Sequence, residues 1–393
     1  MDRLTSKIKG LVEANHDNVV SIRRHLHKHP ELSFKEHETS KYVQEQLKSM
    51  GITDYRMTVD TGIVAAIGNL SKPPIYLRAD MDALPITEAN TVDYCSVNEG
   101  VMHACGHDVH TATLLGAMKV LKSMESELNH CIYCVFQPGE ELLPGGASLM
   151  IKDGLFNAGG QAKMIGNHVH PPLKAGQVGF KSGIYMASAD EIYLDVIGKG
   201  GHGAIPHQCI DPLPIVAEII TSLQTLVSRH ANPSMPTVLT FGKINSDGGA
   251  TNIIPSKISL QGTFRTFEEE WRSEAHKLIR QRVESICAAH GAEANLEIRV
   301  GYPSLYNDPK FTDSCYNGAI EYLGKDQVID IPLRTTSEDF AYYSQEVPSC
   351  FYRIGTDSKD GKYQSSVHTP TFNVDEDCLL TSVGLMSFLA LKG

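Results

Sequence analysis

The spacing of apolar and polar residues predicts helices and strands that alternate through the first half of the chain. Apolar residues recur at helical spacing near the N-terminus, at Ile8, Leu11, Val19, Ile22 and Leu26. Helices are predicted over 4–28, 36–49 and 109–123, and strands over Ile63–Ile67, Ile75–Ala79, Ile132–Phe136 and Ala162–Ile165. Strands that alternate with helices are typical of an α/β fold with a largely parallel sheet covered on both faces.

The pattern changes near residue 188. Strands are predicted over Glu191–Ile197, Val238–Ile244, Lys257–Arg265 and Leu296–Val300, and helices over Asp211–Arg229 and Glu268–His290. This β-α-β-β-α-β order is that of a ferredoxin-like unit. The sequence therefore predicts a domain formed by 1–187 and 302–393, with 188–301 inserted into it. Such an insertion would let His368 share a site with His168, although they lie far apart in the sequence.

Composition narrows the class of protein. A chain of 393 residues is long enough for two domains. Its net charge of −11 argues against nucleic acid as a partner, because phosphate binding needs a basic face. No apolar run approaches the roughly 18 residues of a membrane helix, so no membrane association is expected. The nine cysteines, an odd number in a large chain, indicate reduced thiols in the cytoplasm.

Candidate metal ligands occur in several separate segments. Cys105 and His107 stand two positions apart around a glycine, and a thiolate and an imidazole both suit a borderline-soft divalent metal. His168 and His368 are further candidates, and His170 is as good a candidate as His168 from spacing alone. The set predicts a metal site assembled from distant parts of the chain, and with it metal-assisted hydrolysis.

The position of the acidic residues supports this site. Asp80, Glu140, Glu141 and His168 each follow the end of a predicted strand. Ligands of open α/β sheets bind beyond the carboxyl ends of the strands. Either Asp80 or Asp82 would orient a metal-ligating side chain without binding the metal itself, or else would cap a turn.

Adjacent carboxylates suit two different tasks. The side chains of Glu140 and Glu141 point in different directions, so one can hold a metal while the other takes a proton from water and passes it to a leaving amine. A second pair, Cys131 and Cys134, has the spacing of a redox or zinc motif. It lies within an apolar strand and has no partner pair, so core packing is the favoured interpretation.

The chain resembles the aminoacylase/carboxypeptidase-type metallopeptidases over nearly its whole length. It is most similar to their amidohydrolase branch, which includes hippurate hydrolases, indoleacetyl-amino-acid hydrolases and N-acetyl-diaminopimelate deacetylases. The stretches that carry the resemblance are 29–33 (HPELS), 78–85 (RADMDALP), 103–108 (HACGHD), 136–141 (FQPGEE), 200–207 (GGHGAIPH), 252–255 (NIIP), 337–340 (SEDF) and 367–368 (VH).

The resemblance implies a hydrolase that cleaves N-acyl amino acids to a carboxylic acid and a free amino acid. It implies two divalent metal ions per subunit (Zn, Mn, Co or Ni), held by Cys105, His107, Glu141, His168 and His368. It makes Glu140 the general base and then the general acid, and it places Asp80 behind the ligands.

The inserted domain would be a lid that contributes to a homodimer or a higher homo-oligomer. By the same resemblance, His202 would stabilise the oxyanion, in its own subunit or in a partner. Asn252 and Arg265 would hold the substrate, since a guanidinium binds a carboxylate bidentately. The alternative for Arg265 is an ordinary exposed residue of a strand.

Three other functions stay open at this point. A dipeptidase or carboxypeptidase on the same scaffold would use the same amide chemistry. A cysteine hydrolase would use Cys105 with His107, although a spacing of two residues makes that geometry awkward. A protein that binds metal or amino acids without catalysis would keep the ligands but would not need Glu140.

Overall fold

The computed structural model of the chain describes residues 3–157 and 161–393. Its helices are α1 (Arg3–Lys28), α2 (His37–Ser49), α3 (His107–Ser123), α4 (Gly146–Lys152), α5 (Pro212–Thr225), α6 (Glu269–Ala289), α7 (Pro309–Leu323), α8 (Ala341–Glu346) and α9 (Cys378–Lys392). Within these described ranges, no helix has the length and apolar character needed to cross a membrane.

The strands of the same ranges follow in chain order. They are β1 (Tyr55–Thr58), β2 (Gly62–Ile67), β3 (Pro74–Asp80), β4 (Cys131–Gln137), β5 (Lys163–Lys174), β6 (Val178–Phe180), β7 (Gly183–Met186), β8 (Asp190–Ile197), β9 (Gly201–His202), β10 (Val238–Ser246), β11 (Ile253–Ile254), β12 (Lys257–Arg265), β13 (Glu293–Val300), β14 (Leu305–Asn307), β15 (Val328–Asp330) and β16 (Ser349–Asp357). The predicted α/β class is confirmed.

The chain forms two compact units. The first unit comprises Met1–Gly183, Tyr306–Pro332 and Asp339–Gly393. The second unit comprises Ile184–Leu305 and Leu333–Glu338. The sequence-based division into 1–187 with 302–393 and an inserted 188–301, and the role of that insertion as a lid, stay predictions.

A mixed sheet of eight strands forms the centre of the first unit as far as the chain is described, in the order β1-β2-β4-β3-β5-β16-β6-β15. Its middle is parallel, because β4, β3, β5 and β16 run the same way. The expectation of a largely parallel sheet is wrong at both sides, where β1 and β2 pair antiparallel and β6 runs against β16. The short turns before β2 and β6 allow only a reversal of direction, since a parallel crossover needs a dozen or more residues.

Apolar helices cover this sheet. The predicted face of α1 is confirmed, since Ile8, Val19, Ile22 and Leu26 are buried and Leu11 packs against the same core. Helix α1 packs against α3 and α9, and α3 packs against β3. Both cysteines of the 131–134 pair are buried in β4, as core packing requires.

Two predicted boundaries are wrong. Strand β5 does not end at Ile165 but continues to Lys174, so His168 lies inside the strand and not beyond it. Pairing with β16 from Met164 to His170, and again at Lys174 after a shift in register, carries the strand past His168. The helix predicted over Asp211–Arg229 is α-helical only to Thr225 and continues as a π-helical turn over Leu226–His230.

The second unit contains an antiparallel sheet in the order β10-β12-β8-β13. With α5 and α6 it has the predicted β-α-β-β-α-β order. Alternate residues of β8, namely Ile192, Leu194 and Val196, join the apolar faces of both helices in a core, while the residues between them are more exposed. A sheet buried on one face and solvated on the other is typical of antiparallel architecture.

Candidate metal centre

A tight turn before α3 brings Cys105 to β5. Gly106 has a φ of 79°, a conformation that glycine adopts without strain. A Cβ atom on Gly106 would lie 2.6 Å from Cγ2 of Val169, so a larger residue would push the turn away from the strand. The close approach places Sγ of Cys105 3.3 Å from Nε2 of His168.

Hydrogen bonds fix which nitrogen of His168 faces Cys105. Nδ1 of His168 lies 2.8 Å from the carbonyl oxygen of Val169, which only accepts, so Nδ1 carries the proton. The lone pair of Nε2 therefore points towards Cys105, as a metal ligand requires. His168, and not His170, belongs to the donor clusters formed by the described residues.

His107 is oriented in the same way by Asp82. Its Nδ1 lies 3.2 Å from Oδ1 of Asp82. Its Nε2 is buried and has no hydrogen-bond partner among the described residues, and it faces the carboxylates of Asp80 at 3.6 Å and Glu141 at 4.0 Å. Burial lowers the pKa of His107, but Asp80, Asp82 and Glu141 outweigh it and raise that pKa to about 10. The site therefore attracts a cation at this nitrogen.

The turn after β4 carries the two glutamates. Glu140 is buried, with 6% of its surface exposed, and its Oε1 accepts a long hydrogen bond of 3.4 Å from the backbone N–H of Asp339. The backbone N–H of Glu141 donates to Oδ2 of Asp82 at 3.0 Å. Oε1 of Glu141 lies 3.0 Å from Nε2 of His368. The glutamates therefore face different partners.

His368 reaches the centre from the far end of the chain. It has a φ of 63°, which non-glycine residues adopt at a cost and which clusters at functional sites. Its backbone N–H donates to the carbonyl oxygen of Ala104 at 2.8 Å, which ties it to the turn that carries Cys105. Its side chain is 50% exposed.

Two donor groups share Cys105. In each group, one donor atom per residue lies within 4.8 Å of the others. We call Cys105, His107 and His168 the inner group, and Cys105, Glu141 and His368 the outer group. A third set joins Glu140 to His107 and Glu141, so Glu140 stands beside both groups.

The carboxylate of Asp80 contacts two neighbouring side chains, Arg78 and His110. Its carboxylate accepts from Arg78 at 2.7 Å and contacts Nδ1 of His110 at 2.6 Å. Nε2 of His110 accepts from the backbone N–H of Val169 at 2.9 Å, so both nitrogens of this ring are occupied. His110 therefore serves the structure and not the metal. Asp82, which the sequence left as an alternative to Asp80, makes the closer contact with His107.

The donor set fits two divalent ions. Burial raises the pKa of the Cys105 thiol well above its ordinary value, and the charges of Glu141 and Glu140 raise it further. A bound cation reverses this effect, because a coordinating thiol is deprotonated. Thiolate, imidazole and carboxylate together suit zinc and also nickel, cobalt or manganese. Nε2 of His107 faces two carboxylates and has no hydrogen-bond partner among the described residues, an arrangement that a cation explains best.

The remaining predicted residues belong to the second unit. His202 on β9 pairs with Ile253 on β11, next to Asn252. Nδ1 of His202 accepts from the backbone N–H of Ala204 at 3.1 Å, which leaves Nε2–H as a donor on an exposed ring. Arg265 is half-buried, and it donates to Oγ of Ser337 at 3.3 Å. The roles predicted for these three residues stay predictions.

Residues without a predicted role support the centre. Arg78 is fully buried, and it donates to Asp339 at 2.9 Å as well as to Asp80. Asp339 also accepts from Gln137, the last residue of β4. An arginine inside an apolar strand, two residues before Asp80, is the sequence signal that indicates this network.

Comparisons with known proteins agree with this geometry. The model of Peptidase family M20/M25/M40 matches residues 76–392. An N-acetyl-L-cysteine deacetylase of Bacillus subtilis (strain 168) is 41% identical over 364 residues, 92% of this chain and 85% of the relative. Thermostable carboxypeptidase 2 of Saccharolobus solfataricus is 36% identical over 394 residues, 99% and 98% of the two chains.

A solved structure is similar over the whole chain. The YXEP protein of Bacillus subtilis, described as a dinuclear metal binding peptidase of the M20 family, has a TM-score of 0.83 and 32% identity, and the match covers 96% of this chain and 98% of that one. The chain belongs to Peptidase family M20/M25/M40. This membership confirms the predicted class, a metal-dependent hydrolase of amide bonds.

Proposed function

We propose that this protein hydrolyses N-acyl amino acids to a carboxylic acid and a free amino acid. The observation that carries the proposal is the junction of the inner and outer groups at Cys105, with the buried Glu140 beside both. When bound there, divalent ions polarise an amide carbonyl and make water more acidic. A relative that deacetylates N-acetyl-L-cysteine supports the substrate class.

Glu140 is proposed as the proton carrier. It lies next to the ligand residue Glu141 but takes a different direction, towards the backbone of Asp339. Burial keeps its carboxylate away from bulk solvent. Glu140 takes a proton from the attacking water and delivers it to the leaving nitrogen, a role worth about 10²–10⁴-fold in rate.

Three residues of the second unit are proposed to act on the substrate. The exposed Nε2–H of His202 is in the correct tautomer to donate to an oxyanion, in its own subunit or in a second copy. Asn252 and Arg265 would bind the carboxylate of the substrate. A homodimer or higher homo-oligomer through this unit and a cytoplasmic location remain part of the proposal, and light scattering of the purified protein tests the former.

The contacts of the site residues support the three alternative functions to different degrees. A cysteine hydrolase that pairs Cys105 with His107 is disfavoured, because Sγ of Cys105 faces His168 while Nδ1 of His107 faces Asp82. Loss of catalysis is disfavoured because Glu140 and the donor groups are all in place. A carboxypeptidase remains a real alternative, since a carboxypeptidase of Saccharolobus solfataricus is similar over nearly the whole chain.

The test is amine release from a panel of N-acyl amino acids, dipeptides and longer peptides. The protein is stripped with a chelator and then loaded with zinc, manganese, cobalt or nickel in turn. We expect metal-dependent cleavage of N-acyl amino acids, and the ranking of acyl groups would describe the pocket. Cleavage of peptides alone would make the protein a peptidase, and activity that survives chelation would contradict the metal centre.

A further inference from the structure

The turn that carries Glu140 rests on a segment outside the donor groups. Gly139, directly before Glu140, has a φ of 59°. A Cβ atom on Gly139 would lie 2.4 Å from the ring of Phe34, so that ring packs directly against the turn. Phe34 itself has a φ of 62°, a strained conformation for a bulky residue. Such strain persists only where the surroundings fix it.

Hydrogen bonds to Glu36 hold the backbone of Phe34 in this conformation. Its carboxylate is fully buried, and its Oε1 accepts hydrogen bonds of 2.8 Å from the backbone N–H groups of both Phe34 and Gly139. Its Oε2 accepts a bond of 2.7 Å from Oγ1 of Thr61. One oxygen therefore joins the strained residue and the glycine of the catalytic turn, and the other is held in place from a third segment.

The contacts of Glu36 depend more on the length of its side chain than on its negative charge. Burial and the charge of Asp82 raise its pKa, so its environment does not favour the anion. Its three contacts all come from N–H or O–H donors, which an amide oxygen could accept as well. The threonine hydroxyl can turn and accept from an amide nitrogen. A glutamine would therefore keep the same connections without a charge.

We propose that Glu36 is a positioning residue, which sets the direction of the Glu140 side chain through the backbone N–H of Gly139. The inference rests on the proposed function, since Glu140 is the proton carrier there. Within the described residues, the hydrogen bonds of the Glu36 carboxylate come from Phe34, Gly139 and Thr61, none of which belongs to the inner or the outer group. Its effect on turnover comes only from the placement of the neighbouring turn, where a displacement of about 1 Å can cost about 10²-fold in rate.

Three variants separate the effect of the side-chain length of Glu36 from the effects of its charge and of overall protein stability. Glu36→Gln keeps the reach and removes the charge, whereas Glu36→Asp keeps the charge and is one methylene too short for Gly139. Thr61→Val is the matched control, because it removes a hydrogen bond from the same carboxylate without touching the bond to Gly139. Each variant is compared with the wild type in its metal-loaded form, at a temperature where all are folded by circular dichroism.

Two readouts are needed. The first is kcat and KM for an N-acyl amino acid, with the acidic limb of the pH–rate profile. The second is hydrogen exchange of the peptide spanning 137–141, which needs no substrate. We expect Glu36→Asp to lose about 10–100-fold in kcat with a smaller change in KM, to shift the acidic limb and to exchange faster at this peptide. Glu36→Gln and Thr61→Val should stay within a few-fold of the wild type.

Equal losses of kcat in Glu36→Asp and Thr61→Val would overturn the proposal, because they would show a general effect on stability. Unchanged exchange at 137–141 in Glu36→Asp would overturn it as well. If the wild type cleaved no N-acyl amino acid, the proposed function would fail, while the exchange of the 137–141 peptide would still decide whether Glu36 holds the turn.

Discussion

The inner and outer groups differ in how firmly their donors are held. The rings of His107 and His168 are buried, and the Nδ1 of each is fixed by an oxygen acceptor. In the outer group the side chain of His368 is 50% exposed, and that of Glu141 is 14% exposed. A buried metal position whose ligands are held by hydrogen bonds suits tight binding, whereas an exposed position leaves room for a substrate.

Buried side chains of α1 also support the first turn of α3, which begins at His107. Asp108, next to His107, accepts a hydrogen bond from the buried Arg23 at 2.8 Å and contacts Nδ1 of His27 at the same distance. Nε2 of His27 lies 3.0 Å from Glu88. The outer group depends instead on backbone contacts, such as the bond from His368 to Ala104. The donors of the inner position are therefore held in place by the fold before a metal binds.

The largest effect is expected where the two groups meet. Cys105→Ala removes the donor that they share, so both positions should weaken, and turnover should fall by more than the roughly 100-fold typical of supporting residues. Metal content by mass spectrometry and kcat are measured together. Cys209→Ser, outside both groups, is the control. Retention of two tightly bound ions in Cys105→Ala would show that the groups are joined in another way.

Glu140→Gln should separate metal binding from proton transfer. Since Glu140 is not a member of either group, the variant should bind as many ions as the wild type while kcat falls about 10²–10⁴-fold. Metal content and turnover are again measured on one preparation. Near-full turnover with the metal intact would mean that another residue carries the proton.

Asp82→Asn should weaken the inner position more than the outer one. The charge that holds Nδ1 of His107 is lost, and such supporting changes typically cost about 10–100-fold in metal affinity. Competition with a chelator measures the affinity. Because Asp82 also accepts from the backbone of Glu141, Ser33→Ala serves as the control, which removes another bond to Asp82 but leaves its charge. Equal weakening in both variants would argue against an effect of the charge.

The smallest effect is expected from pH. Burial and Arg23 lower the pKa of His27, but Asp108 and Glu88 outweigh them and raise it above the ordinary value of 6.5. The protonated ring therefore stabilises the fold fully below pH 6.5, and this contribution is lost as the pH rises through the raised pKa. Urea unfolding at several pH values should show the free energy of unfolding falling on the alkaline side, and less steeply in His27→Gln. A parallel decline in both proteins would assign it to other groups.

Much of the fold could be predicted because amphipathic elements reveal themselves in the sequence. Helix α1 and strands β8 and β12 each have one buried face, so their periods are clear. Strand β16 and helix α9 were not predicted, and nearly all of their residues are buried. A buried element has no polar face and so no period to detect, and only an apolar run between turn signals, as at β3, reveals it.

The candidate site shows the same limit. The ligand types were visible in the sequence, but His168 and His170 stand two apart on one strand and therefore share a face. The folded structure decides between them, because Sγ of Cys105 lies 3.3 Å from Nε2 of His168. Glu36 had no signal at all, because its role depends on the left-handed backbone of Phe34, which no local pattern indicates.

A titration of the stripped protein with cobalt, followed by calorimetry and by the thiolate-to-cobalt absorption band, tests whether the centre has two unequal positions. Two ions should bind with different affinities, the tighter one first, and the band should appear with the first ion because Cys105 belongs to the inner group. His368→Ala should remove only the weaker step. A single ion, or a band that appears only with the second, would contradict a centre of two unequal groups joined at Cys105.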